Sequence, residues 1–145
     1  LAAIVGDWGK AELHEEVTVG GTKNVFSCAM EHGARVVLCS SIVTYGKSLA
    51  RKICKEEIGH GIALGPYGKS KQAQEVLAKE FNKQGLEVST VRLANVYGIG
   101  SGPWYNDMIE QMKKGFPCIV GSGKFNAGLC HVDNAADILL RAAIF

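Results

Sequence analysis

Two short runs rich in apolar and β-branched residues, Ala34-Arg35-Val36-Val37-Leu38-Cys39 and Leu86-Glu87-Val88-Ser89-Thr90-Val91-Arg92-Leu93, constrain the fold of this chain more than any other feature. The first is long enough for a buried strand and too short for an independent helix, and the second reads the same way. Between them a helical stretch opens at Pro66 and is closed by Gly85, a proline suited to a first helical turn and a glycine suited to a last one. Strand, helix and strand therefore alternate, which is the pattern of an α/β sheet. Ser40 and Ser41 end the first strand and Asn95 follows the second. Polar groups thus fall at the carboxyl ends, where open parallel sheets bind ligands.

Tyr67 and Lys71 stand four residues apart in Gly65-Pro66-Tyr67-Gly68-Lys69-Ser70-Lys71. On a helix they share a face, one turn apart. A cation beside a phenol favours phenolate and lowers a pKa that otherwise sits near 10, so the pair reads as a general acid or base. Taken alone the spacing is unspecific: four Tyr and twelve Lys in 145 residues supply about 0.3 such pairs by chance. A surface helix with a solvated lysine is the competing reading. The neighbouring strand ends decide between them.

Composition excludes several classes. A net charge of +2 is too small and too scattered for a nucleic-acid surface. No apolar run approaches a membrane span, and nothing at the start reads as a signal peptide. Five cysteines, an odd number without a C-x-x-C spacing, fit reduced thiols in a cytoplasmic protein better than a disulfide frame or a zinc site. Cys39 and Cys118 read as packing residues and His131 as structural. The charged patch from Arg51 to Glu57 reads as a solvated face.

In order along the chain, Leu1-Ala2-Ala3, Val19-Gly20-Gly21-Thr22, Cys39-Ser40-Ser41 with Tyr45-Gly46, Pro66-Tyr67-Gly68-Lys69-Ser70-Lys71, Arg92-Leu93-Ala94-Asn95-Val96-Tyr97-Gly98 and His131-Val132-Asp133 resemble the extended short-chain dehydrogenase/reductases, the group that includes nucleotide-sugar epimerases and dehydratases. The resemblance implies the C-terminal part of a Rossmann-type doubly wound parallel sheet over residues 1–95. It also implies part of a smaller substrate-binding lobe with a returning helix over 96–145. The cofactor implied is NAD or NADP, the ligand a small-molecule substrate, and a homodimer is compatible. Tyr67 would be the general acid/base. Lys71 would lower its pKa and bond the nicotinamide ribose, and Ser41 would hold the substrate hydroxyl or carbonyl.

Further roles follow from position in that resemblance. Ala2 and Ala3 would approach the cofactor through backbone, and Ala94, Val96 and Tyr97 would line the nicotinamide pocket. Ser40 is a cofactor-side candidate or a strand-end residue bonded to backbone. Asn95 touches substrate or merely forms a turn, Tyr45 and Tyr97 flank the substrate or pack, and Trp104 and Tyr105 line its mouth or pack. Three departures stand out. Thr18 replaces an Asn usual in such relatives. Ala127-Gly128 replace an Arg-Asp that meets nucleotide phosphates, and Ile42 and Val43 replace an Asp-Glu pair of dehydratases.

The glycine fingerprint Gly-x-x-Gly-x-x-Gly does not occur in the chain, and both ends read as cut, so a fragment of a larger enzyme is expected. Three functions remain open: an epimerase/dehydratase-type enzyme, a carbonyl reductase or alcohol dehydrogenase of the dihydroflavonol-reductase/hydroxysteroid-dehydrogenase type, and a non-catalytic nucleotide sensor. The expected elements are a helix from about Leu13 to His32, a loop from Gly46 to Gly65, a helix from about Tyr105 to Lys114, strands at Cys118 to Val120 and Leu129 to Val132, and a terminal helix capped by Asp133 or Asn134.

Overall fold

A computed structural model describes residues 3–116, 119, 121–124 and 126–145. The chain forms two compact units, Leu1–Arg92 with Leu139–Phe145, and Leu93–Ile138. Together they give an α/β fold.

In the first unit, helix α1 (Ala11–Leu13), a π-helical stretch (His14–Gly20) and helix α2 (Gly21–Glu31) run on without a break. This is the first expected helix, beginning slightly earlier. The wide turn buries His14, Thr18 and Val19. Thr18 accepts from the Ile4 amide at 3.2 Å, while Thr22 donates back to the Thr18 carbonyl at 2.7 Å. Hydroxyls bonded to their own helix loosen it locally, which suits a π turn at this point.

Strands β1 (Val36–Ser41) and β2 (Val88–Leu93) are hydrogen-bonded neighbours, with helix α3 (Pro66–Lys83) between them in sequence. Both start two residues later than the apolar runs. The reason lies in Arg35: its guanidinium reaches Glu87 at 2.6 Å and the carbonyls of Ala143 and Ile144 at 3.3 and 3.1 Å. Arg35 thus serves the open end of the terminal helix α5 (Val132–Ile144), and pairing begins with the Val36 amide on the Glu87 carbonyl at 2.8 Å. Pro66 sits in the first turn of α3 as expected, and Gly85 lies just beyond its end.

One apolar cluster of Phe26, Leu38, Ala78, Phe81 and Leu86 joins α2, β1, α3 and the approach to β2. Phe26 and Phe81 meet edge to face, centroids 5.5 Å apart. Each such ring contributes about 1.5–3 kcal/mol by burial. Gly46 breaks a 3-10 stretch (Ile42–Ala50) at φ +50, and a Cβ there would overlap the Ile62 carbonyl. The expected loop from Gly46 is therefore helical at its start.

A polar cluster unites the same elements. Glu75 of α3 has a side chain only 3% exposed. Arg92 of β2 grips it with Nε on Oε1 at 2.9 Å and Nη2 on Oε2 at 2.7 Å. Ser40 of β1 donates to Oε1 at 2.6 Å, and His60 Nε2 lies 2.8 Å from Oε2. Arg92 also reaches the carbonyls of Glu56 and Ile58 and stacks over the Tyr45 ring at 4.7 Å, while the Tyr45 hydroxyl donates to the Lys55 carbonyl at 3.0 Å. The charged patch is exposed at its side chains, as expected, yet these backbone carbonyls tie it down.

In the second unit, β3 (Asn95–Tyr97) pairs in parallel with β4 (Leu129–His131), in the register Asn95 to Leu129, Val96 to Cys130 and Tyr97 to His131. A π-helical stretch (Gly102–Asn106) leads into α4 (Asp107–Lys113). Asp133 lies in the first turn of α5, and its amide donates to His131 Nδ1 at 3.3 Å, so it is not the outlying cap expected. The strand expected at Cys118 to Val120, and the packing role given to Cys118, lie outside the described residues.

Burial alone would push the Glu75 carboxyl up, but the bonds donated by Arg92, Ser40 and His60, with the charge of Arg92, hold it at about 2. A carboxylate depressed on folding contributes stability that is full above its unfolded value and lost as pH falls through its folded value. The Glu75 contribution should therefore decline from about pH 4.5 downward, toward the folded value. Replacing Glu75 by Ala leaves Arg92 buried without its counter-ion and should cost about 3–5 kcal/mol at neutral pH. Urea unfolding at pH 7 and pH 3 checks both statements: the gap between wild type and Glu75→Ala should be large at the first and narrower at the second.

Candidate active site

The carboxyl end of β1 delivers Ser41 and the first turn of α3 delivers Tyr67. Ser41 caps the following 3-10 stretch, its Oγ accepting from the Val43 amide at 3.3 Å, as short hydroxylated side chains do at helix starts. From that strand end the Ser41 side chain acts on the Tyr67 phenol, favouring its phenolate form. Lys71 lies one turn further along α3, its Nζ 5.9 Å from the Tyr67 ring centroid and 3.0 Å from the Cys39 carbonyl, to which it donates. The structure thus brings Ser41, Tyr67 and Lys71 together.

The electrostatics differ from the expectation that Lys71 lowers the Tyr67 pKa. Burial raises it, the Ser41 hydrogen bond lowers it in part, and the charges of Cys39 and Asp7 add to the rise. Burial also lowers the pKa of Lys71, against the charges of Cys39 and Glu75. The ammonium addresses the Cys39 carbonyl rather than the phenol oxygen, and desolvation of the phenol outweighs it. In this arrangement Tyr67 is a protonated donor at neutral pH.

Other candidates make contacts within the fold. Ser40 donates to the Glu75 carboxylate rather than to backbone. Tyr45 is only 5% exposed and is held by Arg92 and the Lys55 carbonyl. Asn95 is not a turn former: it begins β3, and its Nδ2 donates to the Ala127 carbonyl at 2.7 Å while its amide meets the Gly128 carbonyl at 3.0 Å. Ala94, Asn95, Val96 and Tyr97 belong to the second unit, where Tyr97 meets His131 edge to face at 5.2 Å. Trp104 and Tyr105 sit in the π-helical stretch of that unit. Ala3 precedes the Ile4 amide held by Thr18, and Ala2 lies outside the described residues.

The sequence reading missed the Glu75, Arg92 and His60 cluster. Its signal was there: Glu75 follows Lys71 by four residues on the same helical face, and Arg92 interrupts an otherwise apolar strand end. It also missed Asp7, whose Oδ1 accepts from the Tyr67 amide at 3.1 Å. Beside Tyr67 lies a cavity of about 100 Å³ lined by Asp7, Val43, Gly46, Leu49, Leu64, Gly65 and Gly68. Whole small-molecule sites measure about 300–1,000 Å³, so this one takes only part of a ligand.

Comparison with known proteins agrees with this architecture. A family model described as the NAD dependent epimerase/dehydratase family matches residues 1–144. An undecaprenol-linked N-acetylglucosaminyl diphosphate 4-epimerase of Escherichia coli O157:H7 is 30% identical over 138 residues, 92% of this chain and 40% of that protein. A 2-alkyl-3-oxoalkanoate reductase of Stenotrophomonas maltophilia is 25% identical over 138 residues, 92% of this chain and 42% of the other. The solved structure of MoeE5 in complex with UDP-glucuronic acid and NAD superposes with a TM-score of 0.85 at 28% identity, covering 100% of this chain and 51% of that one. The chain therefore spans about two-fifths of the curated relatives and half of the solved neighbour.

Titration of [13Cζ]tyrosine-labelled protein by NMR should place the Tyr67 midpoint above that of free tyrosine, about 10. Ser41→Ala should move it higher still, because the hydroxyl bond favours the phenolate. A wild-type midpoint below the free value would contradict this electrostatic account.

Proposed function

The chain belongs to the NAD-dependent epimerase/dehydratase family, and from that premise we propose that it carries the proton-handling centre of a nicotinamide enzyme acting on a hydroxyl or carbonyl carbon of a nucleotide sugar. The observation that carries this reading is Lys71 one turn behind Tyr67, its Nζ 5.9 Å from the phenol ring, with Ser41 acting on the same phenol from the end of β1. The nucleotide-sugar part rests on the UDP-glucuronic acid bound in MoeE5, beside a relative that epimerises a sugar on a lipid diphosphate.

The donor set suits the nicotinamide end of such a cofactor. Lys71 presents three donors, one of them given to Cys39, and a ribose edge is rich in acceptors for the rest. No glycine fingerprint for a pyrophosphate occurs in these 145 residues, so the phosphate end has no matching cradle in this sequence. When bound, NAD supplies the hydride acceptor or donor. Tyr67 gives a proton to a carbonyl oxygen as it becomes a hydroxyl, or takes one in reverse. Ser41 holds that same oxygen in line with the phenol, and Lys71 stands one turn behind it. Ala3 belongs to the cofactor side of this proposal.

Val43 and Ile42 carry no carboxylate, so the site lacks an acid pair for dehydration and the reading favours epimerisation or simple oxidoreduction. A second reading, a carbonyl reductase, is favoured by one observation. Where nucleotide-sugar enzymes place Arg-Asp, Ala127 and Gly128 use their carbonyls to hold Asn95, and no guanidinium stands there for phosphates. Among the described residues no helix is long and apolar enough to cross a membrane.

Tyr67→Phe removes the exchangeable proton and little else. It should lower turnover by at least about 100-fold while NAD affinity, read by calorimetry, stays near wild type. Steady-state assays with UDP-sugars and with small apolar ketones separate the two readings, since only the first predicts that the UDP-sugars turn over. Wild-type activity in Tyr67→Phe would sink both.

A further inference from the structure

Helix α3 starts without a cap of its own: its N-cap is Gly65, which has no side chain to offer. The missing acceptor comes from 60 residues away, where Asp7 Oδ1 receives the Tyr67 amide at 3.1 Å. The fit is close, because a Cβ at Gly65 would overlap the Asp7 carboxylate. Asp7 is itself held on both sides. The Ile4 amide is bonded to buried Thr18, and the Trp8 carbonyl lies 3.3 Å from Nε2 of buried His14. The short strap from Ile4 to Trp8 is thereby pinned to the first helical run at two points and to the helix of Tyr67 at a third.

We propose that Asp7 is the positioning residue of this site: its carboxylate caps α3 on the amide of Tyr67 itself and so fixes where the phenol meets Ser41. A negative group at a helix N-terminus is favourable, and an acceptor there satisfies an amide that the helix itself cannot. Asp7 lines the same small cavity as Tyr67. The charged or titratable groups around the phenol are Asp7 from the strap, Cys39 from β1 and Lys71 from α3. Of the two side-chain carboxylates near this helix start and its next two turns, Glu75 is neutralised by Arg92, and Asp7 is the one that acts on Tyr67, favouring its protonated form. The assignment rests on the proposed role of Tyr67 only for its catalytic meaning.

The test uses the full protein labelled with [13Cζ]tyrosine, comparing wild type, Asp7→Asn and Asp7→Ala. Asp7→Asn keeps an acceptor oxygen and loses the charge, so the Tyr67 amide should keep its hydrogen-exchange protection while the Tyr67 midpoint moves to lower pH. Asp7→Ala loses both, and the Tyr67 amide should exchange about tenfold faster. Where turnover is measurable, the limb of its pH profile assigned to Tyr67 should shift with the midpoint in Asp7→Asn. An unmoved midpoint in Asp7→Asn overturns the proposal, as does wild-type amide exchange in Asp7→Ala. If Asp7→Ala fails to fold, the Asp7→Asn midpoint decides alone. These readouts need no substrate: a shifted midpoint together with an active Tyr67→Phe enzyme would sink the catalytic reading and leave the positioning role standing.

Discussion

The buried carboxylate of Glu75 is the constraint on which the first unit depends. A single acid, nearly without solvent, accepts from Ser40 at the end of β1, from Arg92 near the end of β2 and from His60 in the intervening loop. An isolated buried charge of this kind would be too costly to keep. Each partner is therefore obligatory, and each belongs to a different element. Apolar packing around Phe26 and Phe81 supplies much of the energy of association, but it is non-directional. The carboxylate adds direction: it fixes how far α3 can slide along the two strands.

That direction reaches the candidate site through α3. Glu75, Lys71 and Tyr67 follow one another at spacings of four along one helical face, so holding the first places the other two. Lys71 then meets the Cys39 carbonyl and Tyr67 meets Ser41, the residue after the serine that Glu75 binds. Asp7 holds the same helix from its start. The Tyr67 phenol thus sits between two fixed points, and its desolvation follows from that enclosure.

Much of this was legible in the sequence because local rules and long-range order agreed. The β-branched runs became strands, Pro66 opened the central helix, and Ser41, Tyr67 and Lys71 met as their positions implied. What escaped were interactions whose partners are far apart in sequence. Nothing local marks Asp7 as a cap for residue 67, and although Glu75 and Arg92 each stand out locally, nothing in their spacing pairs one with the other. The contacts of two site candidates have the same origin. Ser40 and Tyr45 lie in a motif rich in functional residues, and both also touch the buried ion pair. Asn95 follows a strand as a turn former would, but parallel pairing with Leu129 turned it into a strand of its own. The sign of the Tyr67 shift was misread because helical spacing gives proximity to a cation and says nothing of burial.

The most direct test of this account is a double-mutant cycle on Glu75 and Arg92, with Glu75→Gln, Arg92→Met and the double variant unfolded in urea at neutral pH. If the pair is the obligatory tie described, the two substitutions should show a coupling of at least about 1.5 kcal/mol, the second change costing little once the first is made. Effects that add to within about 0.5 kcal/mol would show that the two residues act independently, and would contradict the account.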